Sequence, residues 1–414
     1  MLSASGIAAV PASRDMLNAA RRTGSGVSAK HIVAIPSWYS TGRGSGGGYF
    51  RDQALALQAA GHRVAILAPD IFTHRDLRAG RLSRSDAGRV VVEKDGVDIY
   101  RRTARIWMPR LPYRNALSWS LCGLALFAAY VARNGTPDLV HAHSCLHAGV
   151  LAALIRARHG VPFVVTEHST GFAQGRLRWW ERDLVRRVIR RADARIAVSP
   201  HLALLLEAQF PGAPWAYLPN ILGDFFRAPF AGVARGQGGK NSFVFLCAAR
   251  LSPVKNHALL IDAFADAFAG NAEVRLQLAG DGPLHEQLSR QCAQRGVASQ
   301  VEFLGALPAE GLRAAMDAAD CFALASDVET FGVVVIEAQA AGLPCVCTAS
   351  GGPDHLIDAV NGRLVPAGDR PALRQALIEM RGRALGYDRA RISAEAISRF
   401  GREEFCRRFA EIVT

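Results

Sequence analysis

Short apolar runs alternate with longer stretches of helical periodicity along most of the chain. The runs are rich in Val, Ile and Leu, and the pattern repeats from residue 31 to about residue 380. Such alternation is typical of parallel sheets whose strands are joined by crossover helices. The predicted strands are 31–35, 64–68, 139–143, 163–167, 194–198 and 217–218 in the first half and 243–248, 275–279, 301–303, 321–325, 344–347 and 363–365 in the second.

A glycine-rich segment, residues 223–241, separates the two sets of strands and has little periodicity, which is typical of a linker. The fold class is therefore α/β, with two Rossmann-like, doubly wound parallel-sheet domains. Such sheets bind ligands at the carboxyl ends of their strands, so we expect the site in a cleft between the domains. The predicted order is a flexible leader (1–29), an N-terminal domain (30–222), the linker (223–241), a C-terminal domain (242–395) and a terminal helix docking back on the domains (396–414).

Composition adds a partner class and a cellular compartment. Lys and Arg number 49 against 36 Asp and Glu, so the formal charge is +13. A basic chain favours anionic partners such as nucleic acid, an acidic membrane surface or a phosphorylated small molecule. The eight cysteines include no CxxC pair, which favours reduced thiols in a cytoplasmic protein over disulfides or a zinc site.

One apolar run, residues 117–132, is interrupted by Ser118, Ser120 and Gly123. It is shorter than the roughly 20 residues that a helix needs to span a bilayer. We expect a buried or interfacial helix there.

The second half contains two glutamates, Glu329 and Glu337, eight positions apart around a glycine at which a helix is expected to begin. If the segment is helical throughout, the two lie about 12 Å apart along the axis. That separation suits two ends of one elongated ligand, and the helix start near Phe331 and Gly332 offers free N–H groups to a diphosphate. By themselves the same residues also fit a capping acid and a solvated helix position.

Other predicted strand ends carry residues suited to phosphate. Arg250 and Lys255 follow the strand at 243–248, and Gly280 and Gly282 form a turn after the next strand. Cations neutralise a diphosphate, and glycines allow close backbone approach. In the first half, the glycine-rich residues 44–48 suit a phosphate-binding or acceptor-side loop, but they match neither a Walker loop nor the full GxGxxG pattern.

Taken together, these segments resemble the retaining, nucleotide-sugar-dependent glycosyltransferases of family 4, which have the GT-B fold. The resemblance covers nearly the whole chain from residue 30. It rests on the E-x7-E pattern, residues 250–255, the turn at 280–282, and the run from Gly342-Leu-Pro344 through Gly351-Gly352 to residues 361–366. The segments 36–39 and 51–57 resemble those of members that assemble bacterial polysaccharides.

The resemblance implies a role for each of these residues. Arg250 and Lys255 would hold the diphosphate, Glu337 the ribose, and Glu329 the donor sugar. The remaining implied donor-binding residues are Gly47, Gly48, Gly280, Gly282, Leu307, Thr330, Phe331, Gly332 and Val333. The N-terminal domain would be the acceptor side.

Histidines end two strands of that domain. His143 matches the family position whose imidazole lies beside the reacting sugar, and Glu167 and His168 are acceptor-side candidates. Histidines at strand ends are also often hydrogen-bonded core groups, and this alternative stays open. The implied catalytic group is His143, Glu329, Arg250 and Lys255.

The implied reaction transfers a hexosyl unit from a nucleotide-diphosphate sugar, with retained configuration, to a glycan or lipid-diphosphate-linked acceptor. No cofactor or catalytic metal is expected. The protein would stabilise charge on the leaving diphosphate, and a phosphate oxygen would act as the base.

Two arginine-rich segments, 101–133 and 175–191, include interleaved aromatic residues, and the second carries seven arginines. Basic amphipathic helices with interfacial Trp suit anionic membranes, so we hypothesise a peripheral association with the inner face of the cell membrane. A solvated arginine face is the ordinary alternative. Other hypotheses are a GT-B enzyme of another class, such as a sugar-nucleotide epimerase, and a basic nucleic-acid-binding protein, although no RNP or KH motif accompanies the charge.

Overall fold

Two open α/β sheets carry the elements of the chain. The computed structural model describes residues 28–39, 48–72, 88–105, 113–212, 214–230, 232 and 242–414. Much of the predicted leader and linker therefore lies outside the described residues. The first sheet has the strand order β3-β4-β2-β1-β5-β6-β7-β8, and the second has β11-β10-β9-β12-β13-β14.

The elements of the first domain, in chain order, are β1 His31–Pro36, α1 Gly48–Ala59, β2 Arg63–Phe72, β3 Val90–Lys94, β4 Asp98–Arg105, α2 Arg114–Asn134, β5 Leu139–His143, α3 Val150–His159, β6 Phe163–Glu167, α4 Trp179–Arg191, β7 Ala194–Ala197, α5 Pro200–Gln209 and β8 Ala216–Tyr217.

The second domain contains β9 Phe243–Ala248, α6 His257–Phe268, β10 Val274–Ala279, α7 His285–Gln294, β11 Val301–Gly305, α8 Ala309–Ala318, β12 Cys321–Leu324, α9 Val333–Ala340, β13 Cys345–Ala349, β14 Gly362–Pro366 and α10 Arg370–Arg383. The helices α11 Arg389–Phe400 and α12 Arg402–Val413 follow.

The predicted parallel strands occur in the structure, with bounds that differ by a few residues at most ends. The central strands are apolar along their whole length because helices cover both faces of each sheet. In β9, for example, every residue is buried. The predicted fold class, two doubly wound α/β domains, is confirmed.

The hairpin β3–β4 was not predicted, and it is the one antiparallel pair among the described strands. Most of β3 is exposed, and β4 includes arginines, so neither strand shows the apolar run of a central strand. Arg101 on β4 pairs with Glu93 on β3 at 3.2 Å. Part of the first arginine-rich segment thus belongs to the edge of a sheet, where polar strands are tolerated.

The apolar segment at 117–132 forms part of α2, which has 21 residues. The expectation that it is too short to span a bilayer is wrong, because the helix also includes polar residues at both ends. Among the described helices, α2 alone has the length and apolar character for a membrane span, and 44% of its most apolar stretch is buried in the fold. Its inner face, including Leu126 and Phe127, packs in the core.

The chain returns to the first domain at its C-terminal end. Phe405 and Phe409 of α12 are each 1% exposed and pack in a cluster with β1 and α1. Leu222 N donates to Phe400 O at 2.9 Å, where α11 meets the start of the linker region. The two domains are therefore connected both through the linker and through α11 and α12.

All eight cysteines are free thiols. Seven are buried and Cys406 is partly exposed. This agrees with the expectation of reduced thiols.

Candidate functional site

Four loops meet at the carboxyl edge of the second sheet, because β10, β9, β12 and β13 are neighbours there. Backbone hydrogen bonds join the loops in pairs. Leu251 N donates to Asp281 O at 3.0 Å, and Asp327 N donates to Val254 O at 2.9 Å. The segments that the sequence singled out after these strands therefore form one connected surface.

The glycine turn after β10 is required by close packing against its neighbour. A Cβ on Gly280 would lie 2.0 Å from Ala249 O, and one on Gly282 would lie 2.3 Å from Leu251 O. The predicted close approach exists, and in this structure the partner is the backbone of the loop after β9. The two glycines thus fix the position of the loop that carries Arg250 and Lys255.

Lys255 and Glu329 form an ion pair at the centre of this surface. Lys255 Nζ lies 2.5 Å from Glu329 Oε1, which also accepts a hydrogen bond from Ser326 Oγ at 2.9 Å. Glu329 is only 7% exposed, whereas Arg250 is exposed at the end of β9. Lys255 therefore lies beside the turn at Phe331, and Glu329 balances its charge in the absence of ligand.

The segment between the two glutamates is not helical throughout. Glu329 forms an isolated parallel bridge with Gly351, and the helix α9 begins only at Val333. Gly332 precedes it with a φ of 94°, a left-handed conformation that glycine adopts readily. The continuous helix assumed in the 12 Å estimate is therefore wrong, while the predicted helix start after Gly332 is present.

Glu337 lies within α9 and is partly exposed. Burial of its carboxyl group, with a smaller contribution from the negative charge of Asp52, raises the pKa of Glu337 to about 8. Asp52 belongs to α1 of the other domain, and burial raises the pKa of its carboxyl as well. The end of the ligand surface at Glu337 is thus within electrostatic reach of the N-terminal domain.

Three histidines lie at the ends of β5 and β6 in the first domain. His143 Nδ1 and His168 Nε2 are 3.1 Å apart, and His141 Nε2 is 2.7 Å from Thr166 Oγ1. All three rings are buried, and burial lowers the pKa of His168 and of His141 to about 3. Burial also lowers the pKa of His143 well below its usual value, so the cluster is neutral at physiological pH.

Glu167, the last residue of β6, is 0% exposed. Its carboxylate accepts hydrogen bonds from Ser144 Oγ at 2.6 Å and from the backbone N–H groups of Cys145, His168 and Ser169 at 2.8 to 2.9 Å. Here the side chain holds together the loops that follow β5 and β6. Its predicted role on the acceptor side stays a prediction.

The two domains touch where these clusters face one another. Thr330 Oγ1 donates to His168 O at 2.9 Å, and Tyr217 OH lies 3.1 Å from His355 Nε2. The ring of Phe331 packs against His355 at 5.8 Å. The structure thus brings the predicted residues His168 and Thr330 into direct contact across the cleft.

Other predicted residues have no such contact. Gly47 lies outside the described residues, and Gly48 is exposed at the start of α1. Leu307 follows β11 and packs partly buried against the core. Val333 is the first residue of α9 and is also partly buried.

The sequence reasoning missed several residues of this region. Phe50 covers His143 at a ring distance of 4.7 Å, and Ser326 supports Glu329. The position of Ser326 near the end of β12 was a usable signal. Asp52 gave no such signal, since its place within a helix does not show that another domain lies opposite.

Two family models match the chain and together cover both domains. The model "Glycosyl transferase 4-like domain" matches residues 44–220, and the model "Glycosyl transferases group 1" matches residues 234–394. The second match contains the loops with Lys255, Glu329 and Glu337.

Curated relatives are similar to the chain over part of their length. A phosphatidyl-myo-inositol mannosyltransferase of Mycobacterium leprae is 30% identical, with 64% of this chain and 70% of the relative covered. A GDP-mannose-dependent alpha-(1-6)-phosphatidylinositol monomannoside mannosyltransferase of Mycolicibacterium smegmatis is 32% identical, with 47% of this chain and 55% of the relative covered. The chain also spans less than two thirds of the length of several further relatives.

Solved structures share the fold at low identity. Sucrose-phosphate synthase from Thermosynechococcus elongatus has a TM-score of 0.73 at 20% identity, covering 93% of this chain and 98% of that one. HepE from Anabaena, solved in complex with UDP, has a TM-score of 0.69 at 22% identity, covering 92% and 99%.

Proposed function

The chain belongs to the group 1 glycosyltransferases with the GT-B fold, and from that premise we propose that it transfers a hexosyl unit from a nucleotide-diphosphate sugar. The acceptor proposed is a glycan or a lipid-linked glycan in cell-surface polysaccharide assembly. Transfer with retained anomeric configuration, using no bound metal or cofactor, is part of the proposal.

The Lys255–Glu329 pair beside the start of α9 is the observation that carries this proposal. A lysine whose counter-ion is a carboxylate of the same surface is suited to exchange that carboxylate for a diphosphate. The freed Glu329 would then accept hydrogen bonds from sugar hydroxyls. Arg250, exposed on the same loop, adds a second positive charge beside the diphosphate.

The chemistry proposed is stabilisation of the leaving group. As the bond between the sugar and the diphosphate breaks, negative charge grows on the diphosphate, and fixed cations lower the energy of that state. Lys255 and Arg250 supply this charge, and the backbone N–H groups at the start of α9 add to it. Ionised Glu337 would bind the ribose at the other end of the nucleotide.

Names of the relatives narrow the donors to be tested. GDP-mannose appears in the name of the Mycolicibacterium relative, and UDP is bound in the solved structure of HepE. We propose GDP-mannose and UDP-hexoses as the first candidates.

The test is nucleotide release from a panel of GDP-, UDP- and ADP-sugars by the purified protein, with an extract of lipid-linked glycans as acceptor. We expect at least one donor to release nucleotide, and Lys255→Ala to lower kcat/KM for it by about 100-fold, the scale of a lost transition-state contact. The matched control is Lys94→Ala, which removes an exposed lysine from β3. Equal activity of wild type and Lys255→Ala would contradict the site assignment.

The proposal of a membrane-bound acceptor is supported by one face of the N-terminal domain, here called the basic face. It includes Trp179, which is 70% exposed, and the exposed Leu117 and Leu121 of α2. Tyr113, one turn before Leu117, lies with its ring 6.0 Å from that of Trp179, so the two helices adjoin. The exposed arginines of α4 are Arg186, Arg187, Arg190 and Arg191.

This face differs in detail from the amphipathic helix that the sequence indicated. Val185, Val188 and Ile189 of α4 pack into the domain, so the apolar side of the helix is used internally. Trp119 is 3% exposed and is likewise a core residue. Arginines with a few exposed apolar side chains suit a surface contact with anionic lipid, each cation adding about 1 kcal/mol.

A further inference from the structure

The contact between the histidine pair and the donor loop carries a further inference, which rests on the proposed function. The donor loop is here residues 329–332. His143 and His168 share one hydrogen bond, Nδ1 to Nε2, at 3.1 Å, and they are 1% and 7% exposed. Because a neutral imidazole has one donor and one acceptor nitrogen, the tautomer of His168 determines that of His143.

The backbone at His168 is fixed to the strand that carries His143. Glu167 accepts from His168 N and, with its second oxygen, from Cys145 N, two residues after His143. The ring of Phe50 packs against both imidazoles, at 4.7 Å from His143 and 5.4 Å from His168. Movement of the His168 backbone is therefore transmitted to the hydrogen bond between the two rings.

His168 is also the residue that the donor loop touches. Its carbonyl oxygen accepts the hydroxyl of Thr330 at 2.9 Å, and Thr330 directly follows Glu329 in the loop. A second contact between the domains, Tyr217 OH to His355 Nε2 at 3.1 Å, does not involve the histidine pair. One of these two contacts thus connects the donor loop to His143 through a single residue.

We propose that His168 is a positioning residue that couples contact between the domains to the orientation and tautomer of His143. With the domains together, the Thr330 hydroxyl anchors the His168 backbone, and the His168 ring holds His143 Nδ1. When the domains separate, the carbonyl loses this partner and His143 loses its fixed setting. His143 is then correctly arranged only while the donor loop is in place.

The kinetic test compares two substitutions of Thr330, using release of nucleotide from the donor identified in the panel. Thr330→Val keeps the shape and removes the hydroxyl, and Thr330→Ser keeps the hydroxyl. We expect Thr330→Val to lower kcat about tenfold with KM changed less than twofold, since one hydrogen bond is lost. Thr330→Ser should restore kcat to within about twofold, and a serine variant no better than the valine variant would overturn the proposal.

The spectroscopic test follows the ring nitrogens of His143 by ¹⁵N NMR of the full chain without donor, assigned by their loss in His143→Asn. We expect Thr330→Val and His168→Phe to shift these resonances towards another tautomer, and Tyr217→Phe, which removes the other contact, to leave them in place. If His168→Phe does not fold, His168→Gln takes its place. Unchanged His143 resonances in the Thr330 and His168 variants would overturn the proposal.

The two tests also separate this proposal from the proposed function. If wild type releases nucleotide from none of the donors, the proposed function fails, while the resonances of His143 still decide the coupling. If wild type is active but His143 is insensitive to Thr330 and His168, the coupling alone fails.

Discussion

Lys255 lies in the structure with its charge already balanced by Glu329, 2.5 Å away. This pairing makes the glutamate a competitor of any diphosphate for the same ammonium group. Ser326 Oγ holds the shared carboxylate oxygen, so the pair is fixed in one geometry. Binding of a donor would therefore exchange one anionic partner of Lys255 for another.

Replacing Glu329 by Gln should separate the two roles of this residue. Free nucleoside diphosphate should bind about tenfold more tightly, because Lys255 no longer has an internal anion, whereas turnover of the nucleotide sugar should fall. Isothermal titration calorimetry and nucleotide release measure the two effects. Glu302→Gln, an exposed residue of the same domain, is the control and should change neither. Weaker binding of free diphosphate to Glu329→Gln would show that the pair does not act as a competitor.

Glu337 makes a second prediction at the same scale, concerning pH. Its pKa is raised from the ordinary 4.5 to about 8, so between these values the folded protein retains a proton that the unfolded chain has lost. Stability therefore falls as pH rises from about 4.5 to about 8. Glu337→Gln cannot ionise, and its free energy of unfolding minus that of wild type should increase from pH 5 to pH 8.

Glu404→Gln is the control for this measurement. Hydrogen bonds to Arg407 and Arg408 are the main cause that lowers the pKa of Glu404 to about 2, so its stabilising contribution is complete above about pH 5. The difference between this variant and wild type should stay constant over the same range. A constant difference for Glu337→Gln as well would refute the raised pKa.

At the scale of elements, the strand ends of the second sheet explain why the site is assembled from distant segments. Neighbouring parallel strands bring their following loops to one edge, so the loops after β9, β10, β12 and β13 meet. The helix α12 shows the converse, because it belongs to the C-terminal end of the chain and packs on the first domain. Its two buried phenylalanines supply most of that contact.

Phe405→Ala should destabilise the first domain by about 3 to 5 kcal/mol, the usual cost of removing a buried phenylalanine. All six tryptophans of the chain lie before residue 216, so their fluorescence reports on that domain. Urea unfolding followed by tryptophan fluorescence measures the change. Glu411→Ala on the exposed side of α12 should shift the free energy of unfolding by less than about 1 kcal/mol. An unchanged tryptophan transition in Phe405→Ala would mean that α12 does not support the first domain.

At the scale of the whole molecule, the formal charge of +13 is unevenly used. Many arginines of the second domain pair with carboxylates, such as Arg370 with Asp266 at 2.6 Å. On the basic face, by contrast, Arg186 and Arg190 of α4 are exposed beside Trp179. A concentration of cations with exposed aromatic and aliphatic side chains is typical of proteins that contact anionic bilayers.

Sedimentation with vesicles of anionic phospholipid should test this face. Changing Arg186, Arg187, Arg190 and Arg191 to Ser should weaken binding at least tenfold, and raising the salt from 0.1 M to 0.5 M should weaken binding of wild type because screening shortens the range of the charges. The matched control changes four exposed arginines of the second domain, Arg290, Arg374, Arg383 and Arg391, to Ser. Equal loss in both variants would attribute binding to net charge instead of to this face.

Local pattern was sufficient for the parts of this protein that depend on neighbours in the chain. The central strands, the helix start after Gly332 and the glycine turn at Gly280 and Gly282 were all predictable, because periodicity and backbone conformation are properties of short segments. The edge hairpin β3–β4 was not, since its strands are largely polar or exposed and resemble loops.

The sequence by itself therefore determined the class of fold, the family and the residues from which the site is built. Only the tertiary structure decided their partners: Lys255 with Glu329, 74 positions apart, and Thr330 with His168, 162 positions apart. Such pairs depend on which strands become neighbours and how the domains meet, and no periodicity within a segment records that. The same reason placed Asp52 near Glu337 and turned the apolar side of α4 inward.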